Sequence, residues 1–353
     1  MPSSKSASPF SLELKPKTSM NLIIPMAGRG SRLRPHTLTV PKPLIPIAGV
    51  PIVERLVSHL VNLAPEKVER IAFVVGDFGD EVAASLRSMA ARFGAEAIVV
   101  EQTEPLGTAH AIWCAKELLE GEVVVAFADT LFTTPEGFKL SNEGGTLFVK
   151  EIEDPRQFGV VVLDAEGCIA SYAEKPENPV SNLAMIGIYH IVEGEKLGAA
   201  IQRLIDEKVR HGGEYQLPDA LRHMTESGVR FSPGVVDRWM DCGNAKVTIE
   251  TNSQVLSILG NRAEVHTSVV LEDSVVVPPC SIGEGTVIRN SVVGPNVSLG
   301  NGCLVLDSRL SDCLVSEHAR LDGVNLQHSM VGNHANITRK ADQLSAGDYT
   351  EIK

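Results

Sequence analysis

No stretch of this 353-residue chain holds the ~20 consecutive apolar residues of a membrane-spanning helix, so no bilayer span is expected. The first nineteen residues, MPSSKSASPFSLELKPKTS, lack the apolar centre of a signal peptide and read as a disordered extension, with Met20 as a candidate natural start. Six cysteines, at 114, 168, 242, 280, 303 and 313, form no CxxC spacing and no disulfide-scaffold density. Reduced thiols in a cytoplasmic protein are the expectation. Net charge is −12, which argues against a nucleic-acid binder, because those carry a basic face.

One local absence is more telling. Between Asn21 and Val53 there is no Asp or Glu, while Arg29, Arg32, Arg34 and Lys42 fall within fourteen residues. A cationic segment inside an acidic chain is an anion site by Coulomb reasoning.

The remainder divides into two textures. From Asn21 to about Asn252, apolar runs at 22–26, 71–76, 97–100, 123–128, 146–150 and 186–191 alternate with amphipathic stretches near 51–63, 80–93, 108–120, 195–210 and 216–227. Their β-branched, non-alternating character predicts buried strands of a mostly parallel, Rossmann-like α/β sheet, whose ligands bind beyond the carboxyl ends of the strands. Past a linker at 253–264 a six-residue beat begins: VHTSVV, LEDSVV, VPPCS, IGEGTV, IRNSV, VGPNVS, LGNGCL. This hexapeptide repeat predicts a short left-handed parallel β-helix over 265–340, about four coils at roughly eighteen residues each, followed by a tail at 341–353.

The segment LIIPMAGRGSRLRPHTLTVPKPLIPIAG, residues 22–49, carries the chemistry. A buried strand runs into Ala27, Gly28, Gly30 and Ser31, small residues that let backbone N–H groups approach phosphate oxygens. Arg32 offers a bidentate fork and Lys42 a point charge for a triphosphate. It is no Walker loop, because Gly-Lys-Ser/Thr is missing, and Gly-x-Gly alone also occurs in many tight turns.

The whole string resembles the motif of the sugar-1-phosphate nucleotidyltransferases, Gly-x-Gly-x-Arg-Leu-x-Pro-x-Thr followed by Pro-Lys-Pro. The matching residues are Gly28, Gly30, Arg32, Leu33, Pro35, Thr37 and Pro41-Lys42-Pro43. The resemblance spans Asn21 to Lys246 and implies an enzyme that joins a nucleoside triphosphate to a sugar 1-phosphate and releases pyrophosphate. It also implies roles for single residues. Arg32, Lys42 and Lys175 are the catalytic cations; Gln102 with Gly107 and Thr108 reads the nucleobase, although Thr108 alone could simply open a helix. Gly159, Glu174, Lys175 and Ile186 line the sugar-phosphate pocket. Asp129, at the end of the strand VVVAFA, and Asp241, in Trp239-Met240-Asp241-Cys242-Gly243, are the ligands of Mg²⁺, which favours hard oxygen donors. The stretch Glu214–Asp219 resembles a helix opening near the sugar.

An ionised phosphate monoester needs no general base, so His36 and His110 are assigned roles behind the site residues or in the structure rather than in catalysis. The strand-to-loop stretch looks most like glucose-1-phosphate thymidylyltransferases, which implies dTTP and glucose 1-phosphate. The appended β-helix also resembles that of mannose-1-phosphate guanylyltransferases, and UTP differs from dTTP by one methyl. Apolar Ile186 departs from the Thr or Asn that several members carry there. Two other classes compete: a non-catalytic nucleotide-sugar sensor, and an acyltransferase built on the β-helix with His318, His328 or His334 as base. The β-helix more readily serves assembly, which predicts a homo-oligomer, or regulation.

Overall fold

The computed structural model describes residues 19–28, 30–178 and 180–339. The extension read at 1–19, except its last residue, and the tail read at 341–353 lie outside the described residues, as does Arg29. Ahead of the repeats the strands are β1 (Met20–Pro25), β2 (Pro46–Ile47), β3 (Val50–Pro51), β4 (Val68–Val75), β5 (Glu96–Glu101), β6 (Glu122–Ala126), β7 (Thr130–Thr133), β8 (Gly145–Glu151), β9 (Gly159–Leu163), β10 (Ile169–Glu174), β11 (Leu183–Ile191), β12 (Phe231–Val235) and β13 (Arg238–Asp241). The helices are α1 (Ile52–Leu63), α2 (Gly79–Arg92), α3 (Thr108–Cys114), α4 (Gly194–Asp206), α5 (Leu217–Glu226) and α6 (Ala245–Ile258). Among the described residues no helix is long and apolar enough to cross a membrane.

Contacts gather these elements into two compact units that interleave along the chain. Among the described residues, one comprises 19–25, Leu60–Ala126 and Gly137–Val235; the other comprises Met26–His59, Phe127–Glu136 and 236–339.

The first unit is a nine-stranded mixed sheet with strands ordered β10-β9-β11-β6-β1-β4-β5, and β8 joins β11 to β12. All six residues of β1 are buried, as expected for a central strand flanked by β4 and β6. The parallel, Rossmann-like part is β6-β1-β4-β5, whereas β11, β9 and β10 run antiparallel. The sheet is therefore less parallel than the sequence implies. Part of the cause is local: β9 and β10 are joined by a tight turn in which Gly167 N–H donates to the Asp164 carbonyl, and a hairpin admits only antiparallel pairing. Helix α4 buries Leu197, Ala200, Ile201 and Leu204, the i, i+3, i+4, i+7 stripe of an amphipathic helix.

The second unit is built on the repeats. Short strands stack in parallel, with Ala263 paired to Cys280 and Cys280 to Val297, seventeen residues apart, then Ser298 to Leu314, sixteen apart. The coils are thus slightly shorter than eighteen residues. Ile282, Ile288, Val293, Val297, Leu299, Val305, Leu310 and Leu321 fill the interior together with Cys280, Cys303 and Cys313. All six cysteines are free thiols, and burial pushes those at 280 and 303 up to about 11. His318, His328 and His334 each sit in the left-handed region, and the rings of His318 and His334 stack 5.1 Å apart. Helix α6 runs through Ile258, so half of the segment read as linker is helical.

Candidate functional site

In the second unit the cationic loop is held from within. Leu33 is wholly buried, its N–H donates to the Gly30 carbonyl at 2.9 Å, and the Thr37 hydroxyl donates to the same oxygen at 2.8 Å. Gly30 is left-handed, with φ of 58°, and a β-carbon there would meet Lys42 Cβ at 3.0 Å and Thr37 Cγ2 at 3.1 Å. Gly28 has the opposite surroundings: no atom lies within 4 Å of where its β-carbon would be, so its face is open. Arg32 and Ser31 are exposed and Ala27 is half-buried.

Lys42 is only 8% exposed, and its Nζ donates to Asp129 Oδ2 at 2.8 Å. Asp241 joins them through strand register. Antiparallel β7 and β13 pair Thr130 with Asp241, and Cys242 N–H donates to the Asp129 carbonyl at 3.0 Å. Asp129 and Asp241 therefore leave neighbouring strand ends together. Burial raises the Asp241 carboxyl above its ordinary range, and the adjacent Asp129 charge adds to this; Lys42, the Gly243 N–H and Arg32 pull the other way. A hard cation at these carboxylates would relieve the repulsion that Asp129 exerts on Asp241. Space is reserved for the Asp241 carboxylate, since a β-carbon on Gly243 would lie 2.7 Å from its Oδ2. The Cys242 thiol is fully buried and pushed up to about 12, so it is no nucleophile.

In the first unit the remaining candidates form two clusters. Gln102 follows β5, and its side-chain amide donates to the Gly107 carbonyl and to His110 Nδ1, both at 3.2 Å. His110 thus supports Gln102 from behind, one of the two roles the sequence allows it; burial lowers its basicity and favours the neutral acceptor. Gly107 has φ of 106°, and a β-carbon there would lie 2.5 Å from the Tyr215 carbonyl oxygen. Thr108 does open α3, but its hydroxyl works across the chain: it accepts from Leu217 N–H at 2.9 Å and donates to Gln216 Oε1 at 3.2 Å. The stretch Glu214–Asp219 is thereby fastened to Gly107–Thr108.

The second cluster surrounds Gly159. Strands β9 and β10 place it opposite Glu174, and a β-carbon on Gly159 would lie 2.8 Å from both Glu174 Oε2 and Met185 Cε. Lys175 follows in a left-handed conformation, its Nζ 3.3 Å from Glu174 Oε1, with both side chains more than half exposed. Ile186 does not join this cluster. It is 2% exposed, and the side chain beside Gly159 is that of Met185. Antiparallel β9 and β11 pair Ala184 with Val160, which sets the next residue, Met185, opposite Gly159; the sequence offers Ile186 only from its place before Gly187 in the resembling motif.

Comparison with known proteins adds an independent line. The family described as Nucleotidyl transferase matches residues 22–258. A nucleotidyltransferase of low-salt glycan biosynthesis, Agl11 of Haloferax volcanii, is 32% identical over 244 residues, covering 67% of this chain and 66% of that protein. A glucose-1-phosphate thymidylyltransferase of Streptomyces griseus is 28% identical over 361 residues, covering 95% of this chain and 99% of its own length. Among solved structures, a UDP-glucose pyrophosphorylase complexed with UDP-glucose superposes with a TM-score of 0.57 at 22% identity, over 68% of this chain and 99% of that one, which shows the shared fold.

Proposed function

Because this chain belongs to the nucleotidyl transferase family, and within it to the sugar-1-phosphate nucleotidyltransferases, we propose that it joins dTTP to glucose 1-phosphate and releases pyrophosphate. The observation that carries the reading is the Lys42–Asp129–Asp241 cluster beside the glycine loop. The Streptomyces relative, matched over nearly its whole length, supports the choice of substrates.

The chemistry joins two polyanions, so positioning and charge neutralisation dominate. A phosphate oxygen of the sugar phosphate attacks the α-phosphorus of the nucleotide in line. The bond from that phosphorus to the bridging oxygen of the β-phosphate breaks, and pyrophosphate leaves. Lys175 positions the attacking phosphate, and Glu174 accepts hydrogen bonds from sugar hydroxyls. Arg32 and Lys42 stabilise the charge that builds on the α-phosphate, while backbone N–H groups around Gly28 and Gly30 hold the triphosphate. Gln102, held by His110, reads the base.

Asp129 and Asp241 would hold Mg²⁺. When bound, the ion supplies neutralisation and orientation of phosphate oxygens. Met185 covers the place beside Gly159, so the sugar meets a thioether there rather than a hydroxyl.

Pyrophosphate release tests the reading, with dTTP, UTP, GTP, CTP and ATP crossed against glucose, mannose, N-acetylglucosamine and fucose 1-phosphates. The dTTP and glucose 1-phosphate pair should give the highest kcat/KM. A preference for GTP with mannose 1-phosphate would move the substrate assignment and leave the class standing. A folded protein silent on every pair would overturn the class.

A further inference from the structure

Asn252 is fully buried in α6, and its side-chain oxygen accepts hydrogen bonds from Ala48 N–H at 2.9 Å and the Ser298 hydroxyl at 2.7 Å. Its amide nitrogen donates to the Asn296 carbonyl at 3.5 Å. Ala48 and Gly49 form the tip of the β2–β3 hairpin, which begins four residues after Lys42. Asn296 and Ser298 belong to the solenoid. One side chain therefore ties the strap that follows Lys42 to a coil that lies more than 240 residues later in the chain.

The neighbouring residue completes the arrangement. The Thr251 hydroxyl donates to the Asp241 carbonyl at 2.7 Å, and Thr251 is 1% exposed. Adjacent positions of one helix thus hold the strand end that presents Asp241 and the hairpin that follows Lys42. The hairpin needs such a hold. Ala48 is left-handed with φ of 47°, which strains a residue bearing a β-carbon. Arg55 binds the carbonyls of Ile47 and Ala48 at 2.7 and 2.8 Å. The Ala48 N–H is left for Asn252, and a β-carbon on Gly49 would already lie 2.8 Å from Ser281 Oγ.

We propose that Asn252 is a positioning residue for nucleotidyl transfer, through which the solenoid coil at 296–298 sets the seat of Lys42. The proposal rests on the reading of Lys42 as a phosphate-binding residue. It makes the solenoid a structural part of the phosphate site as well as a candidate assembly surface.

The test is a double-mutant cycle on the full chain, with pyrophosphate in Mg²⁺ buffer as the probe and binding read by calorimetry. Asn252→Ala should weaken pyrophosphate binding about tenfold, as expected when a supporting hydrogen bond behind a ligand-binding side chain is removed. In a Lys42→Ala background the same substitution should cost nothing further, because its effect passes through Lys42. Asn252→Asp, which keeps an acceptor for both donors, should recover most of the affinity. KM for the sugar phosphate should stay within about twofold, since uniform loss of fold would move every constant together. Losses that add in the double variant, or wild-type affinity in folded Asn252→Ala, would overturn the proposal while leaving the phosphate site intact. Absence of pyrophosphate binding by the wild-type chain would instead overturn the reading of Lys42 and this proposal with it. Should Asn252→Ala fail to fold, Ser298→Ala carries the same cycle: a smaller loss that vanishes without Lys42 supports the relay, and an additive loss sinks it.

Discussion

Lys42 and Asp129, 87 residues apart in sequence, close an ion pair at 2.8 Å in which the lysine is almost wholly buried. A buried lysine beside two carboxylates is costly to keep, and we read it as held for a phosphate ligand. Lys42→Ala should lower kcat by about 10²–10³-fold, the scale of losing one transition-state cation or donor. The fold should survive, since Asp129 is 42% exposed and regains water. Steady-state kinetics with circular dichroism as a control measures both. Turnover within twofold of wild type would show that Lys42 is misassigned.

Asp241 gives a prediction of opposite sign for stability and activity. Its folded carboxyl is held above the ordinary range by burial and then by Asp129. A raised value means that the folded protein binds this proton more tightly than the unfolded chain does. The stabilisation is complete below the ordinary aspartate range, near 3.9, and is lost as pH rises through the folded value. At neutral pH the ionised group is then a standing cost in the metal-free protein. Asp241→Asn should raise the melting temperature in EDTA at pH 7.5 and flatten its dependence on mildly acidic pH, while turnover falls about 100-fold or more. A lower melting temperature for this variant under the same conditions would contradict the electrostatic picture.

Gly107 is the one glycine of the segment 102–108, which we read as contacting the nucleobase. Its φ of 106° and ψ of −179° lie where only glycine is comfortable, and a methyl would press on the Tyr215 carbonyl. Gly107→Ala should cost about 1–3 kcal/mol of stability by scanning calorimetry. The affinity for dTTP should fall as well, because Gln102 is anchored to the Gly107 carbonyl. An unchanged melting transition would mean that the segment is looser than described.

At Gly159 the expectation is steric and confined to the sugar. A methyl would meet the ends of two flexible side chains, Glu174 and Met185, which can turn aside, so Gly159→Ala should fold normally. It should raise KM for the sugar phosphate about tenfold, the effect of one methyl in a fitted pocket. Met185→Ala in the same chain should restore part of that loss. If KM for dTTP rises instead, this cluster does not receive the sugar.

Much of this arrangement is legible in the sequence, and the exceptions have physical causes. The strands at 20–25, 68–75 and 122–126 announce themselves as buried aliphatic runs, and Asp129 is legible from its place just beyond one of them. Helix α6 extends six residues into the segment read as linker. It buries Thr248, Thr251 and Asn252 where an amphipathic helix would bury aliphatic side chains. One signal was present, Asn244 as a capping residue that accepts from Val247 N–H at 3.2 Å. The role of Asn252 is invisible in one dimension, because its partners lie 204 and 46 residues away. The choice between Met185 and Ile186 depends on the pairing of β11 with β9, Ala184 against Val160, which the sequence of one strand does not carry.

The most direct test of the account is formation of the nucleotide sugar by wild-type protein and Asp129→Asn side by side, from dTTP labelled at the α-phosphate, glucose 1-phosphate and Mg²⁺. The account predicts labelled dTDP-glucose and stoichiometric pyrophosphate from the wild type, with at least a 100-fold slower rate from the folded variant. Equal rates from the two proteins would contradict the assignment of the carboxylate pair. No labelled nucleotide sugar from the wild type with any sugar phosphate or nucleotide would contradict the function itself.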